Sequence, residues 1–565
     1  MPLQSGSYMS PSLASPSRAG SAHDRPILIV GAGPVGLMMA ILLARLGLRS
    51  VVVERRLPRQ SSAPKAHVIN PRSLEICRAA GLDVEEMYAR GTPRGEGQHV
   101  RFVETLVGYE FGVLPLDVYD AASLDLTPTP LLNLAQPQFE AILEQAAARM
   151  PEIEIRRGHT WSACDMMEGA VESTIQTEQS TYRFTSAYLI AADGAGSAVR
   201  DRLGFEMDGD PAVRARVTIH FEADLRPIVR NRPGILYWIF DQAAAGTFIA
   251  YDAASTWVYS PRAIPATFER EAYSDDHCQA LIKRAIGTDD VDLAIRHVVP
   301  WMMAAQVAKT YRKGNCFLIG DAAHRFPPTG GLGLNTGLQD AHNLAWKIAA
   351  VERGLSTDAL LDTYEAERQP IARINTAQSL NNSTRLPHLF KMAQSALEKG
   401  DIPATTADAI RAEIDTHRDH FLSTGLQLGF SYGPPVQGPA DPSRYEPSVQ
   451  PGARLPHAWL RHQGKRLSTL DLLDLTRFTL LTGANSSTWR AFAAQAKNTQ
   501  LVVLDADCQF ESPWPAASVL HGTGAILVRP DGHIGIAVLD DSGESQQHAR
   551  SVLERFMPDQ RLTAA

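Results

Sequence analysis

The sequence predicts a mixed α/β protein in which a Rossmann-type dinucleotide-binding unit is interleaved with an antiparallel sheet and followed by a small C-terminal α/β domain. Three observations support this prediction. A glycine-rich turn joins an apolar strand to an apolar helix between residues 26 and 46. Two more strands end in acid and glycine turns near residues 193 and 320, and short aromatic strands lie between residues 234 and 262. These glycine turns are far apart in sequence, so they can form one site only if the domain is assembled from separate segments of the chain.

The first glycine turn has the arrangement that binds a dinucleotide. The apolar run Pro26–Val30 precedes Gly31-Ala32-Gly33-Pro34-Val35-Gly36, and apolar residues continue to Leu46. Glycines at this junction let the backbone approach a pyrophosphate at the positive end of the helix. Glu54 ends the next strand, where an acid holds the ribose hydroxyls and repels a 2′-phosphate. A GxGxxG pattern alone is common in glycine-rich loops, but the complete strand, turn, helix and acid favour FAD or NAD over NADP.

Two later segments place acids at the ends of strands. The run from Ala187 leads into Asp193-Gly194, and Ser197 follows as a cap for a short helix. The run from Gly314 leads into Gly320-Asp321, where the carboxylate is placed to accept hydrogen bonds from a polyol such as ribityl. Together with the first turn, these segments indicate FAD.

At this point the sequence resembles the single-component FAD-dependent aromatic hydroxylases, the group A flavoprotein monooxygenases related to phenol hydroxylase and para-hydroxybenzoate hydroxylase. In that family the three turns are the dinucleotide fingerprint, the DG motif and the GD motif. Segments 64–76, 133–140 and 232–238 also resemble the phenol and chlorophenol hydroxylase branch. Relatives usually carry an arginine beside the flavin, whereas this chain has Lys65, which keeps the charge but loses the planar fork.

The resemblance implies tightly bound, non-covalent FAD, and NADPH or NADH as a transient co-substrate. It also implies that the fold is that of para-hydroxybenzoate hydroxylase. The residues that the motifs and the resemblance assign to FAD are Gly31, Gly33, Pro34, Val35, Gly36, Glu54, Arg55, Lys65, Gln136, Asp193, Gly194, Arg200, Gly320, Asp321, Pro328, Gly331, Leu332, Gly333, Leu334 and Asn335.

The segment 327–335 is expected beside the reacting ring. Reduced flavin carries negative charge on N1 and the C2 carbonyl, so backbone N–H groups and a helix N-terminus should face it. The glycine-rich run Gly330–Asn335 supplies both, because it opens a helix over residues 336–347 whose apolar positions fit one buried face. The resemblance implies that the carbonyl of Pro328 faces the reacting centre in the flavin C4a-hydroperoxide state.

A phenolic substrate needs a base to remove its proton before the ring attacks an electrophilic peroxide. The sequence singles out no residue for this task; Tyr237 is the first candidate and His67 a second on the flavin or substrate side. His324 and His342 adjoin the flavin segments, but no other ligands accompany them at metal spacing. Structural hydrogen bonds are the better interpretation for both, and no metal site is predicted.

Composition fits an ordinary globular enzyme and excludes several other classes. The chain has 565 residues, 44% of them hydrophobic, and a net charge of -8 with no basic stripe, which argues against nucleic acid as a partner. The five cysteines form no CxxC pair, so a reducing, cytoplasmic location is expected. Residues 1–24 are predicted to be a disordered tail, although a transit peptide stays open, and the apolar stretch 34–46 is too short to span a membrane.

The motifs also predict the domain boundaries. Residues 25–95, 130–205 and 300–390 should form the FAD-binding domain, and 96–129 with 206–299 the substrate domain. A helical connector and linker, 391–450, precedes residues 451–557, which resemble the thioredoxin-like C-terminal domain of many relatives. Only Cys508 lies there, so dithiol exchange is excluded and a packing or oligomer-contact role is favoured.

The predicted function is hydroxylation of a phenol-like compound or aromatic polyketide with NAD(P)H and O2. Its partners are therefore small molecules, and monomer or homodimer stays open. One alternative is a flavoenzyme of the same fold that performs epoxidation, oxidative decarboxylation or Baeyer–Villiger oxidation. Another is a non-catalytic flavin-binding protein, against which the intact loop Gly330–Asn335 argues.

Overall fold

The computed structural model describes residues 25–57, 65–93, 95–116, 123–262, 273–400, 402–462, 464–504 and 508–558. The predicted tail, 1–24, lies outside the described residues. The strands are β1 Ile27–Val30, β2 Ser50–Glu54, β3 Val68–Ile69, β4 His99–Val103, β5 Glu110–Pro115, β6 Leu132–Asn133, β7 Ile153–Arg157, β8 Thr160–Met167, β9 Ala170–Gln176, β10 Thr181–Ser186, β11 Leu189–Ala191, β12 Met207–Glu222, β13 Leu236–Ile239, β14 Gly246–Asp252, β15 Thr256–Pro261, β16 Ala294–Ala308, β17 Arg312–Lys313, β18 Cys316–Leu318, β19 His324–Arg325, β20 Trp459–His462, β21 Lys465–Ser468, β22 Phe478–Gly483, β23 Thr499–Leu504, β24 Cys508–Phe510, β25 Ala525–Val528 and β26 Ile534–Val538. The helices are α1 Pro34–Arg45, α2 Pro71–Ala79, α3 Val84–Arg90, α4 Gln136–Ala147, α5 Ala198–Arg202, α6 Arg226–Val229, α7 Asp275–Ile286, α8 Leu332–Glu352, α9 Asp362–Glu398, α10 Ala404–Asp415, α11 Arg418–Phe421, α12 Thr424–Leu428, α13 Ser487–Gln495, α14 Ala517–Leu520 and α15 Gly543–Phe556.

A six-stranded sheet, ordered β17-β18-β11-β1-β2-β7, forms the centre of the molecule. From β18 to β7 its strands are parallel, and β17 pairs antiparallel at the edge. Every residue of β1 is buried, as expected for a parallel strand covered on both faces. Because parallel strands end at one edge of a sheet, the turns after β1, β11 and β18 lie together there.

An eight-stranded sheet, ordered β19-β16-β12-β15-β14-β13-β4-β5, forms the second unit. The three short aromatic strands predicted from sequence are β13, β14 and β15, and their antiparallel pairing is confirmed. One face of this sheet packs into an apolar core with α7, and the other faces α9 and α10. The long strands β12 and β16 pair along most of their length and form an arm that the sequence analysis missed.

The C-terminal unit contains a four-stranded sheet ordered β23-β22-β25-β26. Strands β22 and β23 are parallel, whereas β25 and β26 are antiparallel to their neighbours. This unit shares a core with the flavin-side helices, since Phe478 packs edge-on against Trp346 of α8 with ring centroids 6.3 Å apart. The two parts of the chain are therefore joined by apolar packing as well as by the linker.

Helix α9 crosses a predicted boundary. The FAD-binding domain was expected to end at residue 390, but α9 continues to Glu398. Its last turns bury Leu389, Phe390 and Ala393 against the eight-stranded sheet, so one helix serves both units. Among the described residues, no helix is long and apolar enough to cross a membrane.

Candidate active site

The glycine turns meet in backbone contact at the edge of the parallel sheet. Gly31 has φ of 107°, and a Cβ there would lie 2.4 Å from the carbonyl oxygen of Ala192. Val35 packs on Gly320 and Gly337, where Cβ atoms would lie 3.2 and 2.7 Å from its methyl groups. Three segments far apart in sequence thus form one surface, and side chains at these glycines would separate them.

The first helix presents free amides to this surface. Gly33 is the N-cap of α1 and provides no side-chain acceptor, and a Cβ at Gly33 would meet nothing within 4 Å. The helix begins with Pro34, whose missing N–H costs nothing at this position. An anion is therefore favoured here by the helix dipole and the open approach.

Glu54 stands at the end of β2, as predicted, but part of its carboxylate is already used. Oε2 accepts from the backbone N–H of Ala32 at 2.9 Å, and Oε1 accepts from the backbone and side chain of Arg56. Burial alone would raise the pKa of Glu54, but these hydrogen bonds outweigh it and hold the pKa below its ordinary value. The residue stays charged and fixes the glycine turn while offering its remaining lone pairs. Its neighbour Arg55 is exposed.

The Asp193-Gly194 turn is tied to the later Gly320-Asp321 turn by Arg200. Asp193 accepts from Ser197 at 2.5 Å and from the N–H of Val199. The buried Arg200 guanidinium donates to the carbonyl of Ala195 at 3.0 Å and to that of Ala322 at 3.5 Å. Arg200 therefore holds two loops together from within the protein.

Asp321 is the acid at this site with the most freedom to bind a ligand. Its side chain is exposed, and within the described chain it accepts no hydrogen bond. Oδ1 lies 3.9 Å from the position of a Cβ on Gly333, in the first turn of α8. Although its side chain is accessible, the residue lies deep in the fold, and burial raises its pKa above the ordinary value. The nearby charges of His324, Lys65 and Arg325 lower the pKa, but by less than burial raises it.

The predicted flavin loop is fixed by Asn335. Its Nδ2 donates to the carbonyls of Gly331 at 2.7 Å and Val68 at 3.0 Å, and its Oδ1 accepts from the N–H of Asn70 at 2.9 Å. Gly331 has φ of 64° and is the N-cap of α8 without a side-chain cap, so the first amides of α8 remain available. The carbonyl of Pro328 accepts from the N–H of Gly331 at 3.1 Å and closes the turn. Leu332 is buried, and Leu334 is half-buried against the main core.

Two more predicted flavin residues lie at the margin of the site. Gln136, at the start of α4, accepts from the N–H of Ala66 at 3.2 Å and donates to Glu140 at 2.7 Å, so its amide is already engaged. Lys65 is exposed and close enough to Asp321 and Glu140 for its charge to lower the pKa of both. Lys65 thus supplies positive charge beside Asp321.

His67 lies in a small polar cluster with Asn133. Its Nδ1 is 2.7 Å from Oδ1 of Asn133, whose Nδ2 donates to the carbonyl of Ala250 at 3.0 Å. This fixes the amide orientation, so the His67 proton is on Nδ1 and Nε2 keeps its lone pair. Burial lowers the pKa of His67 to about 4. Its ring is edge-on to Tyr251 at 5.3 Å, and the hydroxyl of Tyr251 is buried without a partner among the described residues.

The structure does not bring Tyr237 to this cluster, which corrects the first choice for the substrate base. Tyr237 points into the core on the α7 side of the sheet, and its hydroxyl donates to the carbonyl of Arg232 at 3.0 Å. Burial raises the pKa of Tyr237, leaving it a poor base. Adjacent strand residues face opposite ways, and Trp238 is the one that faces α9.

The two other histidines have structural surroundings. Nε2 of His324 is 2.7 Å from Asp340, and its ring stacks on Phe326 at 4.7 Å. Burial lowers the pKa of His342 to about 3, so it is neutral at ordinary pH. No group of three metal-ligating side chains occurs in the part of the chain that the structure describes.

The arrangement fits FAD on its own evidence. Gly31 and Gly33 form a tight turn with an open approach to a helix N-terminus, and Asp321 is an unpartnered acceptor between that turn and α8. A second helix N-terminus, that of α8, follows at Gly331. Pyrophosphate, polyol and an anionic ring would each meet groups of matching chemistry.

Comparison with known proteins agrees with this chemistry. A family model described as an FAD binding domain matches residues 24–379, and one described as aromatic-ring hydroxylase, C-terminal, matches residues 448–558. The chain belongs to the FAD-binding aromatic-ring hydroxylases. It is an FAD-dependent aromatic monooxygenase.

Several hydroxylases are similar over almost their whole length. A putative polyketide hydroxylase of Streptomyces halstedii is 33% identical, with 92% of this chain and 94% of the relative covered. A 2,4-dichlorophenol 6-monooxygenase of Cupriavidus pinatubonensis is 31% identical, with 94% and 97% covered. The crystal structure of the flavin-dependent monooxygenase PieE with FAD and substrate has a TM-score of 0.85 at 30% identity, covering 94% of this chain and 99% of that one.

Sequence reasoning missed a buried residue that organises the hydroxylase site. Asp340 of α8 accepts from the N–H of Gly320 at 3.1 Å, from His324 at 2.7 Å and from Arg368 of α9 at 2.8 Å. It thereby ties the Gly320-Asp321 turn to both long helices. The only signal was an acid beside the apolar positions of α8, which by itself does not reveal its partners. The segments that contain Asn133 and Tyr251 were singled out in the sequence, but the contacts of these two residues with His67 were not predicted.

Proposed function

We propose that this hydroxylase uses NADPH or NADH and O2 to insert one oxygen atom into a phenolic or polyketide-derived aromatic ring. The similar proteins named as polyketide hydroxylase and dichlorophenol monooxygenase support this substrate class. The observation that carries the proposal is the exposed, unpartnered carboxylate of Asp321 between the first glycine turn and the start of α8.

Each part of FAD has a proposed set of partners. Glu54 and Arg55 hold the adenosine end, and the amides of Gly33, Val35 and Gly36 stabilise the pyrophosphate side, with Arg200 fixing the adjoining loops. Asp321 accepts from the ribityl hydroxyls. Lys65, Gln136 and the segment from Pro328 to Asn335 surround the ring, where bound FAD supplies the redox chemistry that activates O2. The free first amides of α8 would stabilise negative charge there.

We infer that His67 accepts the hydrogen bond of the substrate hydroxyl. Its proton is held on Nδ1 by Asn133, so Nε2 is the acceptor. Tyr251, whose hydroxyl is buried without a partner in the described residues, adds a donor beside it. The Pro328 carbonyl would lie near the same opening, since the loop that follows it contacts Val68, the neighbour of His67, through Gly331 and Asn335.

The domain division follows the sheets. We propose an FAD-binding domain around the six-stranded sheet, a substrate domain around the eight-stranded sheet, and a thioredoxin-like domain from about residue 451 to 557. The order β23-β22-β25-β26 with flanking α13 and α15 supports the last assignment. Cys508 is the only cysteine of this domain, so its role is packing or an oligomer contact rather than dithiol exchange. The five free cysteines favour a reducing, cytoplasmic location.

The test is anaerobic reduction of the purified FAD enzyme by NADPH and, separately, by NADH, with a panel of phenols and polycyclic phenols. A substrate should accelerate reduction, and isotopically labelled O2 should place one labelled atom in the product. Retained FAD without acceleration or product across the panel would refute the proposal. Labelled products that are lactones or epoxides would instead assign the alternative chemistry.

A further inference from the structure

Two of the five cysteines lie on neighbouring sheets and point toward each other. Strand β8, at the edge of the three-stranded sheet β10-β9-β8, carries Cys164, and β18 of the central sheet carries Cys316. On β8, Cys164 pairs with Ser173, and Met166 pairs with Val171. Ser173 and Val171 are fully buried, and side chains paired across an antiparallel sheet share one face. Cys164 therefore points inward, against the main apolar core.

The central sheet turns Cys316 toward the same region. The next residue, Phe317, packs against an aromatic ring of α9 with ring centroids 6.3 Å apart. Because successive residues of a strand alternate, Cys316 points to the opposite face, away from α9. In the turn just before β18, a Cβ on Gly314 would stand 3.2 Å from Sδ of Met166. Each of these contact residues is two positions from a cysteine, so the end of β8 lies against the start of β18.

The two thiols interact directly. A hydrogen bond from Cys316 lowers the pKa of Cys164 below its ordinary value, although burial alone would raise it. The same hydrogen bond, together with burial, raises the pKa of Cys316. Cys164 is therefore the better nucleophile of the two, because the thiolate and not the thiol attacks. Cys316 stays protonated as its donor.

The other three cysteines have different surroundings. Burial raises the pKa of Cys278 to about 11 and also raises that of Cys77, as expected for structural thiols. Cys508 is half-buried, with Sγ 3.3 Å from Nδ1 of His462, and it is the only cysteine of its domain. Cys164 combines a half-buried position with a second thiol in contact. Redox-sensitive cysteines commonly have this arrangement, an accessible thiol beside a resolving one.

We propose that Cys164 and Cys316 are a peroxide-sensitive pair that closes to a disulfide between the three-stranded sheet and the central sheet. The sulfur of Cys164 attacks one oxygen of hydrogen peroxide, the O–O bond breaks, and the other oxygen leaves with the thiol proton as water. The sulfur of Cys316 then attacks the sulfenic sulfur, the S–O bond breaks, and the Cys316 proton leaves with the hydroxyl as a second water. The two thiols lose two electrons, and these reduce one peroxide to two waters.

The position of the pair decides what the bond would do. A flavin monooxygenase releases hydrogen peroxide when its turnover is uncoupled, so this enzyme meets the oxidant during its own reaction. The disulfide would close a loop over residues 164–316, and closing a long loop restricts the unfolded chain and stabilises the fold. It would also fasten β18, the strand that leads to the Gly320-Asp321 turn. Oxidation should therefore stabilise the enzyme and leave its FAD in place.

The test treats the full-length, FAD-loaded enzyme with a small molar excess of hydrogen peroxide and maps its peptides without reduction. Wild type should give a cross-linked peptide pair containing Cys164 and Cys316, lighter by two hydrogen atoms than the two thiol peptides, and dithiothreitol should remove it. The melting temperature of the oxidised enzyme should be about 2–4 °C above that of the reduced enzyme. Cys164→Ser and Cys316→Ser should each lose the cross-link and the shift. Cys508→Ser, at the other half-buried cysteine, should behave as wild type.

Wild type alone is enough to overturn the inference, so no variant has to fold. Met166 and Met167 are exposed on the same strand, and their sulfoxides report that the oxidant reached β8. Methionine oxidation with both cysteines still reduced would overturn the pair. A sulfinic acid on Cys164 beside a free Cys316 thiol would overturn it too, because the second thiol would not have resolved the sulfenic acid. A cross-link without a rise in melting temperature would overturn its stabilising role.

Discussion

Asp321 combines a deep position in the fold with a carboxylate that accepts no hydrogen bond from the described residues. Its replacement by alanine should leave most purified protein without FAD. Each lost charge-assisted bond is worth about 1.5–3 kcal/mol, or roughly ten- to hundredfold in affinity. Occupancy after dialysis, read from flavin absorbance, measures the effect. Asp208→Ala, at an exposed ion pair, should retain FAD. Full occupancy in Asp321→Ala would mean that another residue holds the ribityl chain.

Gly331 has a left-handed backbone that disfavours a side chain, and a side chain there would contact Val68. It has φ of 64°, and a Cβ would stand 3.4 Å from Cβ of Val68. We expect Gly331→Val to bind some FAD but to shift the first turn of α8 and admit water. The ratio of hydrogen peroxide released to product formed should rise in assays on one sample. Gly354→Val, at a left-handed position with no atom within 4 Å, controls for strain alone. Wild-type coupling in Gly331→Val would place the loop away from the flavin.

The His67 proposal depends on its Nε2 lone pair. His67→Phe should lower kcat by about 10²–10⁴ with FAD retained, whereas His67→Gln keeps an acceptor and should lose less. Since burial lowers the pKa of His67 to about 4, this histidine stays neutral above that pH. The pH profile of the wild-type rate should therefore contain no ionisation of His67 near pH 6.5. Wild type and His67→Gln should have the same profile around that pH. Such an ionisation would assign His67 a different charge state and role.

At the scale of elements, helices α8 and α9 are joined to the C-terminal sheet by a buried ion network. Glu367 of α9 accepts from Lys347 of α8 at 2.7 Å and from Arg529 at 2.6 Å. Arg529 also pairs with Asp531, which accepts from the indole of Trp346 at 3.2 Å. Arg454 pairs with Glu75 of α2 nearby. These charges fix how the C-terminal unit sits on the helix that begins at Gly331.

Glu367→Gln should destabilise the enzyme by about 3–5 kcal/mol, because Lys347 and Arg529 would remain buried without a full counter-charge. Denaturant unfolding measures this loss, with Glu413→Gln on α10 as a partly exposed control. A loss below about 1 kcal/mol would show that the network is not a major source of stability.

The same network predicts that the stability of the protein falls at acid pH. Burial alone would raise the pKa of Glu367, but the charges of Arg529 and Lys347 hold it at about 2. The folded pKa lies below the ordinary value, so the contribution is complete above about pH 4.5 and is lost as the pH falls toward 2. Melting temperature should fall across that window in wild type and fall less in Glu367→Gln. Equal slopes would exclude Glu367 as a cause.

For the whole molecule, the shared core and the ion network predict that the C-terminal and FAD-binding units unfold together. Trp489 of α13 and Leu344 of α8 belong to one apolar cluster. Calorimetry of the intact enzyme should give one transition, which added FAD moves upward, by about 2.7 kcal/mol at a hundredfold excess over Kd. Two separated transitions, only one of them sensitive to FAD, would contradict this coupling.

The glycine turns and the enzyme class could be predicted from the sequence alone. These features depend on residues that are neighbours in the sequence. They are a turn that needs positive φ, a strand that must be apolar on both faces and an acid at the end of a strand. They can therefore be read locally, as Gly31, Asp193 and Asp321 were. The antiparallel pairing of β13, β14 and β15 was predictable for the same reason, because alternation and turns lie within one short segment.

The face of the sheet that each aromatic side chain occupies depends on tertiary packing. Alternation shows that Tyr237 and Trp238 point opposite ways but not which of them meets α9, and the choice went against Tyr237. The arm of β12 and β16 was missed because its pairing is between strands far apart in sequence. The contacts of Asn133 with His67 and of Asp340 with Gly320 likewise depend on tertiary packing.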